Sequence, residues 1–215
     1  MTLVKICGIT RVEDAAFASS AGADFIGLNF WPRSKRFLHP TYAHGVVDAA
    51  HLARDDDAPE LQVIGVFVNP QLDDLLAVCA RVELDGFQLH CDEDPARVRE
   101  LSAAVGLPAW KAVAASETSI ALLDSWPVDT LLLDTPSAGR GGSGHTFDWS
   151  LAVAARVHLG ARKLLLAGGL VPDNVAAAIA QVAPWAVDVA SGVESAPGIK
   201  DSAKVSAFIA AARGR

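Results

Sequence analysis

The chain is poor in cysteine, with three in 215 residues, at positions 7, 79 and 91. An odd count at unpatterned spacings supplies neither a disulfide framework nor a CxxC metal pair, so a reducing, cytoplasmic setting is the simple expectation. No segment reaches the ~18–20 unbroken apolar residues of a membrane span. The N-terminus lacks the basic-then-apolar pattern of a secretory signal, and no membrane association is expected. Positive charge is also in short supply. Lys and Arg number 18 against 25 Asp and Glu, a net charge of −7 that argues against nucleic-acid and acidic-membrane partners. Low-complexity tracts are missing, and the longest charge run, Asp55-Asp56-Asp57, reads as a solvated loop.

What is present is alternation. Hydrophobic residues make up 51% of the chain, enough for one large core and short for two domains. Runs rich in β-formers recur at 3–7 (LVKIC), 24–30, 62–68 (QVIGVFV), 86–90 (GFQLH), 109–113, 130–134 (TLLLD), 163–168 and 186–191. Ala-rich amphipathic stretches follow near 12–21, 41–53, 71–82, 94–105, 117–124, 149–158, 173–183 and 202–213. Pro70 and Pro172 stand at or just before helix starts, Asp92 and Asp94 flank another start, and Asp201 or Ser202 is a candidate cap of the last helix. Eight strand-then-helix units imply a parallel sheet covered by helices. A single-domain (β/α)8 TIM barrel over residues 1–215 is the expectation, with an open doubly wound sheet as the alternative; such barrels typically run to ~250 residues.

Strand alternation then assigns directions. It turns Lys5, Cys7, Asn29, Gln88, His90, Lys111, Asp134 and Asp188 inward, several of them at the C-terminal strand ends where barrel active sites are built. Lys5 and Asp188 either pair structurally or serve the site. Cys7 has four available roles: thiolate base, nucleophile, metal ligand or small core residue. Facing Asp134, it would make a pair suited to taking and giving protons. His90 reads as a hydrogen-bonded core histidine before a metal ligand, and Cys79 and Cys91 as inert. Phe30 and Trp31 either wall a pocket or pack at the rim.

Glycine loops carry the second signal. AGGL at 167–170 and SGVE at 191–194 follow the seventh and eighth strands, where barrels bind phosphate with backbone N–H groups and a short extra helix. GRGGSG at 139–144 matches a dinucleotide fingerprint, but its glycines come five residues after a strand and no helix begins at the motif, so a nicotinamide cofactor is rejected. Arg33, Lys35 and Arg36 cluster after the second strand, and one of them is a candidate carboxylate ligand.

KICGIT, the S-K-R after strand 2, GVFVN, QLH, LLLD, GGSGHTFDW, LAGGLVPDNV and DVASGVESAPGIKD, in that order along the whole chain, resemble the phosphoribosylanthranilate isomerases of tryptophan biosynthesis. The resemblance implies a (β/α)8 barrel performing an Amadori rearrangement without metal or cofactor. By motif, Cys7 would be the general base, Asp134 the general acid and Arg36 the ligand of the anthranilate carboxylate. Gly142, Gly168, Gly169, Ser191 and Gly192 would line the phosphate end. The chain would act on a small phosphorylated substrate as a monomer or homodimer in the cytoplasm. The chemistry requires an ionised thiol and a protonated carboxyl, so both pKa values are expected to be displaced, Cys7 downward and Asp134 upward. One position departs from the family's Q-L-H-G: Cys91 stands where glycine is usual, and its side chain would either crowd the aromatic end of the site or change the backbone at that turn.

Overall fold

The structure, a computed structural model, describes residues 1–135 and 148–214. The strands are β1 (Leu3–Cys7), β2 (Phe25–Asn29), β3 (Gln62–Val68), β4 (Gly86–His90), β5 (Ala109–Ala114), β6 (Thr130–Asp134), β7 (Lys163–Leu166) and β8 (Ala186–Val189). Between and after them run α1 (Val12–Ser20), α2 (Pro40–Leu52), α3 (Leu72–Cys79), α4 (Pro95–Val105), α5 (Glu117–Ala121), α6 (Trp149–Leu159), α7 (Val175–Val182) and α8 (Ser202–Ala212). These eight strands are parallel and β8 closes on β1, so the architecture is the expected (β/α)8 barrel and not the open sheet. LVKIC, QVIGVFV, GFQLH and TLLLD form strands over the residues their composition marks.

Helix starts follow local chemistry. Asp94 accepts the Arg97 N–H at 2.8 Å with Pro95 opening α4, and Asp201 accepts the Lys204 N–H at 3.1 Å. Each such cap contributes about 1 kcal/mol.

Both faces of the sheet are buried, as parallel sheets require. Val4, Ile6, Ile26, Leu28, Val63, Leu89, Leu131 and Leu133 face the helical layer. Inside, Phe25, Ile64, Trp110, Leu132, Leu165 and Ala186 form a second apolar cluster. Phe25, Trp110 and Trp185, with ring centroids 5.2–6.0 Å apart, sit near the N-terminal strand ends and plug the floor. Above that floor the interior turns polar, with Lys5, Gln88 and Asp188 below Cys7, His90 and Asp134.

Lys111 corrects the sequence reading. Trp110 and Ala112 take the interior positions of β5, so Lys111 faces the helical side. There its Nζ donates to Glu93 Oε2 at 2.6 Å and to the Cys91 carbonyl at 2.8 Å. Alternation alone cannot set the phase of AWKAV, and the bulk of tryptophan on the floor decided it. The segment after β8 also holds an unanticipated antiparallel hairpin, β9 (Glu194–Ala196) with β10 (Ile199–Lys200).

Cys91 keeps a glycine-like backbone, with φ at +88°. A side chain in that region costs about 1–2 kcal/mol. Cys91→Gly is therefore expected to stabilise the protein by about 1 kcal/mol, raising Tm by ~2–4 °C. Thermal unfolding of the two proteins side by side tests this; a lower Tm for the glycine variant would show that the thiol contributes more through contacts than it costs in strain.

Candidate active site

Cys7 and Asp134 end β1 and β6 and both face the barrel axis at its C-terminal mouth. On the shorter way round, β7 and β8 separate their strands. Cys7 is 9% exposed. Its partner in the β1–β2 register is Gly27, where an added Cβ would come within 2.7 Å of the Cys7 sulfur and 3.2 Å of Lys5 Nζ. The bare glycine is what leaves room for thiol and ammonium together.

Lys5 is fully buried, yet donates to Asp188 Oδ1 at 2.8 Å and Gln88 Oε1 at 3.1 Å. The β1–β8 register sets Lys5 directly beside Asp188. Burial works against its charge, but Asp188 and Cys7 outweigh that and hold the Lys5 pKa above its ordinary value. Gln88 Nε2 in turn contacts His90 Nε2. Burial, with Lys5 and Lys111 nearby, drives His90 down to about 3, so it is a neutral imidazole.

The two proposed proton carriers behave differently. Burial pushes the Asp134 carboxyl up to about 6, aided by the Asp188 carboxylate and opposed by the Thr135 backbone N–H, which donates to Oδ1 at 2.8 Å, and by Lys5. This matches the expected direction. Cys7 does not: burial raises its thiol pKa, and although Lys5 and Lys200 pull it down, they do not reverse the rise. The resting pair at neutral pH is thus a thiol facing a largely ionised carboxyl.

Arg36 is engaged in a network that its neighbourhood in the sequence did not reveal. Its Nε and Nη2 donate to the two Glu194 oxygens, each at 2.7 Å, leaving Nη1 uncommitted to that carboxylate. Lys200 Nζ donates to Glu194 Oε1 at 2.9 Å, to the Cys7 carbonyl at 2.6 Å and to the Ala190 carbonyl at 3.1 Å. Glu194 and Lys200 come from the β9–β10 hairpin. The signal for them was the closing SGVE…GIKD motif, whose charged residues the sequence reading left without roles.

The glycine loops after β7 and β8 meet at the C-terminal end of the barrel. Gly168 and Gly169, after β7, carry φ of +86° and +66°. Ser191–Val193 form one 3-10 turn after β8, the short extra helix expected there. A Cβ on Gly192 would overlap the Leu170 carbonyl oxygen, so only glycine lets the two loops interlock. Among the described residues, the amides of Gly168, Gly169, Ser191 and Gly192 enter none of the backbone hydrogen bonds of the turns and loops, which makes them candidates for holding an anion. Gly142 lies outside the described residues.

Phe30 stacks on Phe67 at 5.3 Å between centroids. With Trp31, Phe37 and Pro70 these rings line a concavity of about 460 Å³ beside α3, whose wall includes neither Cys7 nor Asp134.

The chain is similar to known proteins throughout its length. The model of the family N-(5'phosphoribosyl)anthranilate (PRA) isomerase matches residues 4–211. An N-(5'-phosphoribosyl)anthranilate isomerase from Citrifermentans bemidjiense is 44% identical over 214 residues, 99% of this chain and 98% of that one. The structure of a monomeric form of the dimeric enzyme from Thermotoga maritima superposes with a TM-score of 0.80 at 38% identity, covering 100% of both chains. A phosphoribosyl anthranilate isomerase bound to reduced 1-(o-carboxyphenylamino)-1-deoxyribulose 5-phosphate is 37% identical, also with a TM-score of 0.80 and full coverage of both chains. Matched by the family model over residues 4–211 and 44% identical to a relative over 99% of its length, the chain belongs to the N-(5'-phosphoribosyl)anthranilate isomerase family.

Proposed function

We infer that the chain is a phosphoribosylanthranilate isomerase of tryptophan biosynthesis. It converts N-(5-phosphoribosyl)anthranilate to 1-(2-carboxyphenylamino)-1-deoxyribulose 5-phosphate by an Amadori rearrangement. The observation that carries the mechanism is the inward pairing of a buried thiol with a carboxyl whose pKa is raised to about 6, at the mouth of a barrel in a family-matched chain.

In our reading the substrate's phosphate sits on the amides of Gly168, Gly169, Ser191 and Gly192, with Gly142 completing that end. Arg36 offers Nη1 to the anthranilate carboxylate, its guanidinium held flat by Glu194. Protonated Asp134 gives its proton to the ribose ring oxygen, the C1′–O bond breaks, and the nitrogen lone pair forms an iminium. The iminium acidifies the C2′ proton, which the Cys7 thiolate removes. The resulting enolamine tautomerises to the ketone.

The reacting form, thiolate with carboxylic acid, has the same proton count as the resting thiol and carboxylate. One proton shifted from Cys7 to Asp134 converts one into the other, so a raised thiol pKa lowers the population of the reacting form without forbidding it. Cytoplasmic location, a one-barrel catalytic unit spanning residues 1–215, a monomeric or homodimeric state and the absence of nucleic-acid or membrane partners complete the proposal. Metal-assisted epimerisation through Cys7, His90 and Asp134 is the rival reading, and chelator-resistant turnover would remove it. A fluorescence assay following loss of phosphoribosylanthranilate, with and without chelator, tests the reading; no turnover, or turnover abolished by chelation, would refute it.

Cys7→Ser and Asp134→Asn are each expected to lower kcat by ~10²–10⁴-fold with the fold retained; near-normal turnover in either variant removes that residue from its role. Arg36→Ala is expected to raise KM by ~10–100-fold with a smaller change in kcat, the loss of a charge-assisted hydrogen bond. In the wild type, a second proton binds the pair below the Asp134 value of about 6, so kcat/KM should fall about tenfold per pH unit below that point. A profile flat to pH 5 would contradict the assignment.

Asp134 has a consequence for stability. Its folded pKa of about 6 lies above the ordinary 3.8, so the folded state holds the proton more tightly than the unfolded chain. The stability this provides is present below the ordinary value and is lost as pH rises through 6. Asp134→Asn is therefore expected to stabilise the protein at pH 8 by up to ~3 kcal/mol, with little gain at pH 4. Denaturant unfolding at the two pH values measures it.

A further inference from the structure

The buried Lys5–Asp188 pair is aligned with the transfer that the reaction needs. Going round the barrel, Asp134 stands on β6, Asp188 on β8, and Lys5 and Cys7 on β1. Lys5 and Cys7 share one face of one strand two residues apart, and both reach the space over Gly27. Asp188 lies on the other side of the ammonium, on the β8 side that leads toward Asp134. The charges around Cys7 are Lys5 from its own strand, Asp188 from β8, Lys200 from the hairpin after β8 and Arg36 from the loop after β2. Those around Asp134 are Asp188 and Lys5, with the Thr135 N–H as a dipole. At each end the helpful charge dominates its opposite. Lys5 acts on Cys7 more strongly than Asp188 does, and Asp188 acts on Asp134 more strongly than Lys5 does.

We propose that Lys5 and Asp188 are positioning residues for proton transfer: an ion pair whose cation stands beside the Cys7 sulfur and whose anion lies on the Asp134 side of the barrel, so that its orientation favours the shift of a proton from Cys7 to Asp134. The inference rests on the isomerase reading of the same site. Lys5 shares the space over Gly27 with the Cys7 sulfur, Asp188 acts on Asp134 through its charge, and neither residue bonds to the reacting carbons. A structural pair would need only mutual satisfaction in the barrel interior. This one is directed, with its cation against the future anion and its anion toward the future acid.

Replacing both ends by apolar groups is a substitution that buried ion pairs often tolerate, so Lys5→Met/Asp188→Leu is the first variant. Iodoacetamide labelling of Cys7, read by mass spectrometry of its own peptide to separate it from Cys79 and Cys91, gives the thiol titration without substrate. The expected result is a labelling midpoint displaced upward by roughly one pH unit or more, with kcat lowered at least tenfold and KM nearly unchanged. The reversed pair, Lys5→Asp/Asp188→Lys, keeps an ion pair and the net charge but inverts its direction; kcat is expected to fall below that of the apolar variant. Asp188→Asn retains an oxygen for Lys5 and is the variant of choice where the double substitutions do not fold. It should move the acid limb of kcat/KM below its wild-type position near pH 6. An unmoved Cys7 titration in a folded double variant overturns the inference even where activity is lost, because that is the signature of a purely structural pair. An unmoved acid limb in Asp188→Asn overturns it as well. Either failure leaves the isomerase reading intact, since that reading stands on turnover by the wild-type enzyme.

Discussion

A fully buried ammonium inside a closed barrel fixes much of this structure. Leaving Lys5 unpaired would cost several kcal/mol in desolvation, so a carboxylate must meet it wherever the sheet closes. The β1–β8 register that sets Lys5 against Asp188 is that closure. The same pairing divides the interior into an apolar floor of Phe25, Trp110 and Trp185 and a polar upper storey. Sliding β8 by one residue would send Asp188 to the helical side and Val187 or Val189 inward. Barrel closure and site chemistry are therefore one constraint seen from two directions.

The second tie runs above the barrel. Lys200 bridges Glu194 and the carbonyl of Cys7, while Glu194 grips Arg36. Three pieces distant in sequence are held in one hydrogen-bonded group: the end of β1, the loop after β2 and the hairpin after β8. Burial weighs against charging Glu194, yet Arg36 and Lys200 outweigh it and keep the carboxylate's pKa below its ordinary value. A guanidinium fixed in this way loses little freedom on meeting a second carboxylate, which is how a fixed clamp gains affinity. The network also steadies the backbone of Cys7 from the opposite side to Lys5.

Much of this was legible in the sequence because the barrel repeats one rule eight times. Each strand announces itself by a short apolar run, and alternation within it places Lys5, Cys7, Gln88, Asp134 and Asp188 correctly. The rule fails where both faces are equally apolar. AWKAV gave no phase, and Lys111 was placed on the wrong side until Trp110 claimed the floor. Glu194 and Lys200 were missed for a different reason. They lie in a connection, where neither periodicity nor strand parity assigns a direction, and their partners are 158 and 193 residues away. Motif identity flagged the segment; only tertiary placement reveals that its charges hold Arg36 and Cys7.

Electrostatics were the least legible layer. The sequence supports an acid and a base with displaced pKa values, and Asp134 obeys, but Cys7 moves upward because burial outweighs two nearby cations. The reversal is physically coherent. A thiolate exposed enough to be stable at rest would also be open to oxidation and alkylation. In the proposed mechanism, a buried thiol that ionises only as its proton moves to Asp134 stays in its unreactive form while the site is at rest. On that mechanism the enzyme needs no strongly acidic cysteine. It needs only that the thiolate–carboxylic acid form lie close in energy to the resting one, and that difference depends on relative placement of charge rather than on the burial of either group alone.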